Sequence, residues 1–234
     1  MSVSSGKPEL QPGPPLEPAG SRSQSSNGTG GGCLPFLSSM NQSRDSRNSI
    51  RQRRQQLSAE YRMAAALGAC KQLVSLRRFL GAKRIALYLA ADGELDPLPV
   101  LEQACAMGKQ CYLPVLHPLG YKRLCFAAWR PGDALRPNRY NIAEPEWTPS
   151  ALIKPWALDL VVVPLVAFDA AANRLGMGGG YYDRSFAWRR NRRYWNGPSL
   201  VGYGYELQKL SCISPRPWDI KMDLIVTENT LYMG

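Results

Sequence analysis

The chain has 234 residues, with 29 Lys and Arg against 18 Asp and Glu, a formal net charge of +11 and one histidine, His117. No run of about 18 apolar residues occurs, which predicts that the chain does not span a membrane. A single histidine excludes a His-rich zinc or copper site. The positive charge favours polyanions such as nucleotides, polyglutamates, RNA or acidic surfaces, but no aromatic RNA-binding motif or zinc-finger spacing points to nucleic acid.

The first forty residues differ in composition from the rest. Gly, Pro and Ser fill 22 of these 40 positions, and so little apolar surface cannot offset the entropy of ordering the chain. The segment has neither the apolar core of a secretory signal nor the pattern of an Arg-rich transit peptide. We therefore predict a disordered leader over residues 1–40 and a single domain over residues 41–234.

The cysteines give no sign of a metal site. None of them forms a C-x-x-C pair, and several lie in apolar surroundings. This pattern favours reduced thiols and a cytosolic protein.

Two helices are predicted at the start of the domain. Four arginines are spaced so that a helix would bring them to one face: Arg44, Arg47, Arg51 and Arg54. This stripe is either a solvated surface or a set of cations that reach over a bound phosphate chain. Ser58 is a good N-cap for the second helix, and apolar residues at helical spacing continue it to Gly81.

A compact βαβ unit follows. Strands are predicted at residues 84–89 and 110–115, joined by a helix that Asp96 caps and Gly108 ends. Residues 122–129 predict another strand, either antiparallel or at an edge of the sheet.

The second half of the domain continues the alternation. Residues 131–155 are Pro-rich and predicted to be irregular, with Trp147 and Trp156 packing them against the body. Three further strands are predicted at residues 159–166, 199–204 and 224–227. The basic run at residues 189–193 is interpreted as an exposed helix end or loop. The order of elements predicts an α/β fold, a three-layer α/β/α sandwich with a mostly parallel central sheet, whose ligands bind at the carboxyl ends of the strands.

The loop after the strand at residues 159–166 is predicted to bind phosphate. It contains Arg174, Gly176 and the run Gly178–Gly180. Glycine backbone can approach phosphate oxygens closely, and a helix starting near Tyr181 would add a positive dipole end. The spacing fits neither a Walker A motif nor a Rossmann fingerprint. A simple tight turn is therefore the alternative.

Carboxylates near these loops have two interpretations each. Asp183 either stabilises the first turn of a helix or binds Mg²⁺. Asp219 and Asp223 are either a cap and a turn residue or further oxygen ligands. Glu94 is either an ordinary loop residue or the carboxylate that binds a substrate N–H group.

Five segments carry a resemblance to a known family. They are LYLAADGELD at 87–96, KQCYLPVLHP at 109–118, PLVAFDAAANRLGMGGGYYDR at 164–184, VGYGYE at 201–206 and WDIKMDLIVTE at 218–228. In these motifs and their order the chain resembles the 5-formyltetrahydrofolate cyclo-ligase (methenyltetrahydrofolate synthetase) family, especially its bacterial form. The resemblance implies a sandwich of the ribose-isomerase and CoA-transferase kind.

The resemblance also implies an activity. Members close 5-formyltetrahydrofolate to 5,10-methenyltetrahydrofolate with ATP and Mg²⁺: the formyl oxygen attacks the γ-phosphate, and N10 then displaces phosphate. It implies that the partners are this folate and its polyglutamates, without membrane or nucleic acid, and that the protein is a cytoplasmic monomer.

Site residues follow by matching motif positions. The ATP-binding residues implied are Arg44, Arg47, Asn173, Arg174, Leu175, Gly176, Met177, Gly178, Gly179, Gly180 and Tyr181. The substrate-binding residues implied are Leu89, Glu94, Gly178, Gly179, Gly180, Tyr181 and Tyr182. Arg174 and Tyr182 are the implied catalytic residues, and Asp183 and Asp219 the implied Mg²⁺ ligands.

The chain departs from the family pattern at two positions. The family's N-terminal helix presents a basic pair to ATP, but Ser43 stands where the lysine is expected, so the role is assigned to Arg44 and Arg47. Some members carry a lysine where this chain has Gly179.

Two other functions are compatible with the sequence: a basic RNA-binding protein on an old enzyme fold, and an ATP-dependent ligase with another substrate.

Overall fold

The computed structural model describes residues 39–191 and 197–234. The helices are α1 (Ser39–Gln55), α2 (Ala59–Val74), α3 (Arg77–Gly81), α4 (Leu98–Ala106) and α5 (Tyr181–Ser185). The strands are β1 (Arg84–Ala86), β2 (Gln110–Leu116), β3 (Leu124–Ala128), β4 (Leu135–Pro137), β5 (Ala143–Pro145), β6 (Leu160–Pro164), β7 (Ala167–Phe168), β8 (Arg174–Leu175), β9 (Ser199–Tyr203), β10 (Leu224–Val226) and β11 (Leu231–Met233). Within these ranges no helix is both long and apolar enough to cross a bilayer. Residues 1–38 of the predicted leader lie outside the described part of the chain.

The central sheet has seven strands in the order β11-β10-β9-β6-β1-β2-β3. The five inner strands run parallel, whereas β3 and β11 pair antiparallel at the two edges. The register sets Ile85 beside Leu160 and Val162 beside Val201. The mostly parallel sheet is therefore confirmed. The edge strand β11 was not predicted, since its three residues carry no periodic pattern.

The burial of strand β6 shows that both faces of the central sheet are covered. Successive side chains of a strand point to opposite faces, and all of Leu160–Val163 is buried. Val162 joins the core that α2 and α4 cover, while Val161 and Val163 join a second core with Phe186. The second face is covered by α5 and a short 3-10 helix at Ala187–Asn191. A near-continuous apolar run is typical of a strand buried on both faces, and the three-layer prediction is confirmed.

The helix predicted from Ser58 to Gly81 is interrupted. Ser58 caps it as expected, because its Oγ accepts a hydrogen bond from the Tyr61 N–H. The helix ends at Val74, and α3 begins at Arg77. At the break the Ser75 hydroxyl donates to the Gln72 carbonyl, a local bond that competes with continued helix.

The segment at residues 131–155 is more regular than predicted. It forms the β4–β5 hairpin, in which Arg136 pairs with Glu144. Trp147 packs against the buried core as expected. Trp156 is 50% exposed, so the prediction that it anchors this segment is wrong.

The cysteines follow the prediction only in part. Cys70, Cys105, Cys111 and Cys125 are free thiols, and burial raises the pKa of Cys111 to about 12. Cys212 is disulfide-bonded, contrary to the expectation of reduced thiols. It lies at an exposed position where a thiol is accessible for pairing.

Candidate active site

A pocket of about 690 Å³ lies at the carboxyl ends of the parallel strands. Tyr88 and Leu89 come from the end of β1, and Pro164 and Leu165 from the end of β6. The β4–β5 hairpin and the glycine loop at residues 176–180 complete the wall. The pocket thus lies at the edge of the sheet where the sequence predicts that ligands bind.

The glycine loop has a backbone that only glycine adopts easily. Gly178 and Gly180 have φ of +98° and +63°, in the left-handed region. A Cβ on Gly180 would also lie 2.8 Å from Nη1 of Arg184. Because α5 after the loop has only five residues, the dipole contribution expected from the sequence is small, and bare backbone N–H groups are the loop's main resource for an anion.

Arg174 is a buried cation in the pocket wall. Its side chain is 5% exposed, and its Nη2 lies 2.6 Å from Oδ1 of Asp183. The guanidinium carbon lies 5.8 Å from the centre of the Tyr182 ring. Its Nε is buried and has no hydrogen-bond partner among the described residues. A buried donor without a partner is costly, while the guanidinium as a whole supplies the pocket wall with positive charge.

The first helix contacts the same loop. Arg47 also lines the pocket, and its Nε donates to the Gly176 carbonyl at 2.9 Å. The backbone of Arg44 belongs to α1, but its side chain lies outside the described part of the structure. Of the two predicted helix arginines, Arg47 therefore lies at the site, and the position of the Arg44 side chain is not described.

Glu94, Tyr182 and Leu89 also line the pocket. The Glu94 Oε2 accepts a hydrogen bond from the Ala91 N–H at 3.2 Å. Burial raises the pKa of Glu94. Burial, and then the charge of Glu94, raise the pKa of Tyr182 well above its usual range. The Tyr182 hydroxyl is consequently protonated at neutral pH and can donate a hydrogen bond.

The two predicted magnesium ligands lie in different settings. Asp183 lines the pocket, and its Oδ1 accepts from Arg174 and from the Ile220 N–H at 3.1 Å. Asp219 does not line the pocket, and its Oδ2 accepts from the Arg216 N–H at 2.8 Å, which makes it a turn residue. No cluster of three metal-binding side chains occurs within residues 39–191 and 197–234.

Two other predicted residues point away from the pocket. The Asn173 amide donates to the buried carboxylate of Asp169 at 3.0 Å. Leu175 packs against a small core that includes Ile50. The remaining predicted residues all line the pocket: Arg47, Leu89, Glu94, Arg174, Gly176, Met177, Gly178, Gly179, Gly180, Tyr181, Tyr182 and Asp183.

Sequence reasoning missed the contribution of the β4–β5 hairpin. Asn138, Tyr140 and Ile142 line the pocket. The hydroxyl oxygens of Tyr140 and Tyr181 lie 2.8 Å apart, so the hairpin reaches the glycine loop. The only signal in the sequence was the turn residue Asn141, which has φ of +57°.

Comparison with known proteins identifies the family of the chain. The sequence model described as the 5-formyltetrahydrofolate cyclo-ligase family matches residues 39–228. The chain is 36% identical over 183 residues to the 5-formyltetrahydrofolate cyclo-ligase of Escherichia coli K12, covering 78% of this chain and 98% of the relative. It is 33% identical over 183 residues to that of Haemophilus influenzae, covering 77% and 95%. The NMR structure of Aquifex aeolicus 5,10-methenyltetrahydrofolate synthetase matches with a TM-score of 0.67 at 28% identity, covering 82% of this chain and 92% of the other. The chain therefore belongs to the 5-formyltetrahydrofolate cyclo-ligase family and is an enzyme of the ligase class.

Proposed function

We propose that this protein catalyses the ATP- and Mg²⁺-dependent cyclisation of 5-formyltetrahydrofolate to 5,10-methenyltetrahydrofolate, with release of ADP and phosphate. The observation that carries the proposal is Arg174, a largely buried cation that lines the pocket beside the glycine loop. Membership of the cyclo-ligase family supports the choice of substrate.

The chemistry requires activation of a poor leaving group. The formyl oxygen attacks the γ-phosphorus of ATP, and ADP departs. N10 then attacks the formyl carbon, the carbon–oxygen bond breaks, and phosphate leaves with the former formyl oxygen while N10 loses its proton. The protein's task is to align the two substrates and to stabilise the charge on the phosphates.

The ATP side of the pocket is assigned to the glycine loop and its arginines. Backbone N–H groups at Gly178–Gly180 and the guanidinium of Arg174 are suited to phosphate oxygens. Arg47 donates a hydrogen bond to the Gly176 carbonyl. This bond holds the glycine loop next to the positive charge of Arg47. Arg44 keeps the role that the family resemblance implies.

The folate side is assigned to Glu94, Leu89 and Tyr182. Glu94 would accept hydrogen bonds from the pterin, and Leu89 supplies apolar wall. The protonated Tyr182 hydroxyl would donate to the substrate, and its ring is stacked nearly parallel to Phe186, at an interplanar angle of 10°. This stacking holds the Tyr182 ring in a fixed orientation.

The pocket fits a magnesium ion through Asp183. Mg²⁺ is commonly held by one or two carboxylates together with phosphate oxygens. Asp183 lines the pocket. Within the described part of the chain, its hydrogen bonds are accepted by Oδ1. Asp219 stays a proposed second carboxylate, because the N–H of its neighbour Ile220 already binds Asp183. The ion would neutralise charge on the ATP phosphates.

RNA binding has less support than catalysis, because three of the arginines that suggested it have internal partners. Arg51 and Arg54 pair with Asp92. Arg189 pairs with Asp223 at 2.9 Å. Residues 192 and 193 of the basic run lie outside the described residues. A cytoplasmic, monomeric enzyme acting on folate and its polyglutamates remains part of the proposal.

The test mixes purified protein with 5-formyltetrahydrofolate and Mg·ATP and follows the near-ultraviolet absorbance of the methenyl product. We expect a rise that needs both ATP and Mg²⁺. A flat trace from folded protein that binds ATP would mean another substrate. A flat trace without ATP binding, together with RNA binding, would replace the proposal with the RNA-binding function.

A further inference from the structure

The loop that presents Glu94 has an unusual backbone. Asp92 and Gly93 have φ of +52° and +70°. The left-handed region is costly for most L-residues, although Asp and Asn tolerate it better. Such a conformation persists only where surrounding contacts hold it. The residues that provide those contacts therefore also determine where Glu94 lies.

Those contacts come from α1. Arg54 is fully buried, and its Nε and Nη2 donate to the Asp92 carbonyl at 3.1 and 2.8 Å. The Asp92 carboxylate accepts from Arg51 Nε at 2.6 Å and from the Gln55 amide. The hydrogen bond from Arg51 is the main reason that the pKa of Asp92 is lowered. One residue of the loop thus binds three side chains of one helix.

The same helix also contacts the glycine loop of the pocket. Arg47, Arg51 and Arg54 stand at positions i, i+4 and i+7, which lie on one face of a helix. Arg47 donates to Gly176 in the glycine loop, while the other two bind Asp92. A shift of α1 that followed the glycine loop would therefore be transmitted to the loop that carries Asp92 and Glu94.

We propose that Asp92 and Arg54 are positioning residues, which hold Glu94 against the folate and couple its binding to that of ATP through α1. This inference rests on the proposed function, because it assigns the glycine loop to ATP and Glu94 to the folate. Neither residue needs to touch a reacting atom. The coupling runs from the glycine loop through Arg47 and α1 to Asp92 and then to Glu94.

The test uses Asp92→Asn, which keeps the side-chain shape and the tolerance of left-handed backbone but removes the charge. We expect the KM for 5-formyltetrahydrofolate to rise about tenfold and kcat to change less than about threefold. In the wild type, a non-hydrolysable ATP analogue should lower the Kd of folate at least about fivefold. In Asp92→Asn this gain should disappear.

Two further variants separate positioning from stability. Arg53 is exposed on the same helix, so Arg53→Met removes a charge from α1 and should leave the folate KM and the coupling within about twofold of the wild type. Gln55→Ala removes one uncharged donor at an exposed site and should raise the folate KM about threefold. It serves as the test if Asp92→Asn does not fold.

The outcomes are distinguishable. An inactive wild type would refute the proposed function and, with it, this inference. An active wild type with an Asp92→Asn variant that melts at a lower temperature but keeps both the folate KM and the coupling would overturn the inference alone. Equal effects from Arg53→Met and Asp92→Asn would also overturn it, since the cause would then be the general charge of the helix.

Discussion

Arg174→Lys is the substitution that bears most directly on the proposed phosphate site. Lysine keeps the positive charge but loses the planar fork and the Nε donor. The Arg174 guanidinium pairs with Asp183 at 2.6 Å and at the same time lies over the Tyr182 ring. One ammonium group cannot keep both contacts and also bind a phosphate oxygen. The variant should therefore fold but bind the transferring phosphate poorly.

The magnitude follows from the one contact that is lost. A hydrogen bond to a charged group contributes ~1.5–3 kcal/mol, which corresponds to a loss of about 10- to 150-fold in kcat/KM for ATP. In Arg174→Lys the lysine still pairs with the charge of Asp183. Because the Asp183 side chain is 18% exposed, water partly screens this pair. We therefore expect a loss in the free energy of unfolding of only about 1 kcal/mol.

The assay compares kcat/KM for Mg·ATP at saturating folate, with urea unfolding measured in parallel. Arg136→Lys is the matched control, because Arg136 forms an ion pair with Glu146 on the surface and does not line the pocket. The control should keep kcat/KM within about twofold of the wild type. If Arg174→Lys also kept more than half of the wild-type kcat/KM, the assignment of Arg174 to the phosphates would be refuted.

Three further predictions test other parts of the site and the core. Asp183→Asn should lower Mg·ATP-dependent turnover by about 100-fold or more with an unchanged circular dichroism spectrum; turnover near that of the wild type would remove Asp183 from the metal site. Glu94→Gln should abolish tight folate binding yet stabilise the fold at neutral pH, because burial raises the pKa of Glu94 and the ionised form therefore costs folding free energy. The stabilisation should be absent below the ordinary glutamate pKa, grow as the pH rises towards the raised pKa and level off above it. Unfolding at several pH values that showed the opposite slope would contradict this. Gly202→Ala should destabilise the protein by ~1–3 kcal/mol, since a Cβ there would lie 2.9 Å from Ile225 Cγ1; an unchanged melting temperature would show that the core around Gly202 can relax.

The sequence predicted those elements whose signal is local. The apolar run at β6 indicated a strand buried on both faces, and β6 is buried on both. Ser58 began a helix because a hydroxyl next to free N–H groups acts as a cap in almost any context. Gly108 ended one with φ of +70°, a conformation that glycine adopts at low cost. The glycine loop was recognisable because its run of glycines is likewise a local signal of left-handed backbone.

The parts that were missed depend on contacts between residues far apart in the chain. Nothing near Asp92 in sequence shows that Arg54 will bind it, and nothing near Tyr140 shows that its hydroxyl will meet that of Tyr181. The stripe of arginines in α1 was visible, but a solvated face and an internal contact surface have the same spacing. Long-range packing decides between them, and a periodic pattern does not contain that information.

The most direct test of the central claim follows the fate of one atom. 5-Formyltetrahydrofolate carrying heavy oxygen in its formyl group is turned over with Mg·ATP, and the released phosphate is analysed by mass spectrometry. Phosphorylation of the formyl oxygen predicts that one labelled oxygen appears in phosphate for each methenyl product formed. Methenyl product accompanied by unlabelled phosphate would contradict the proposed mechanism.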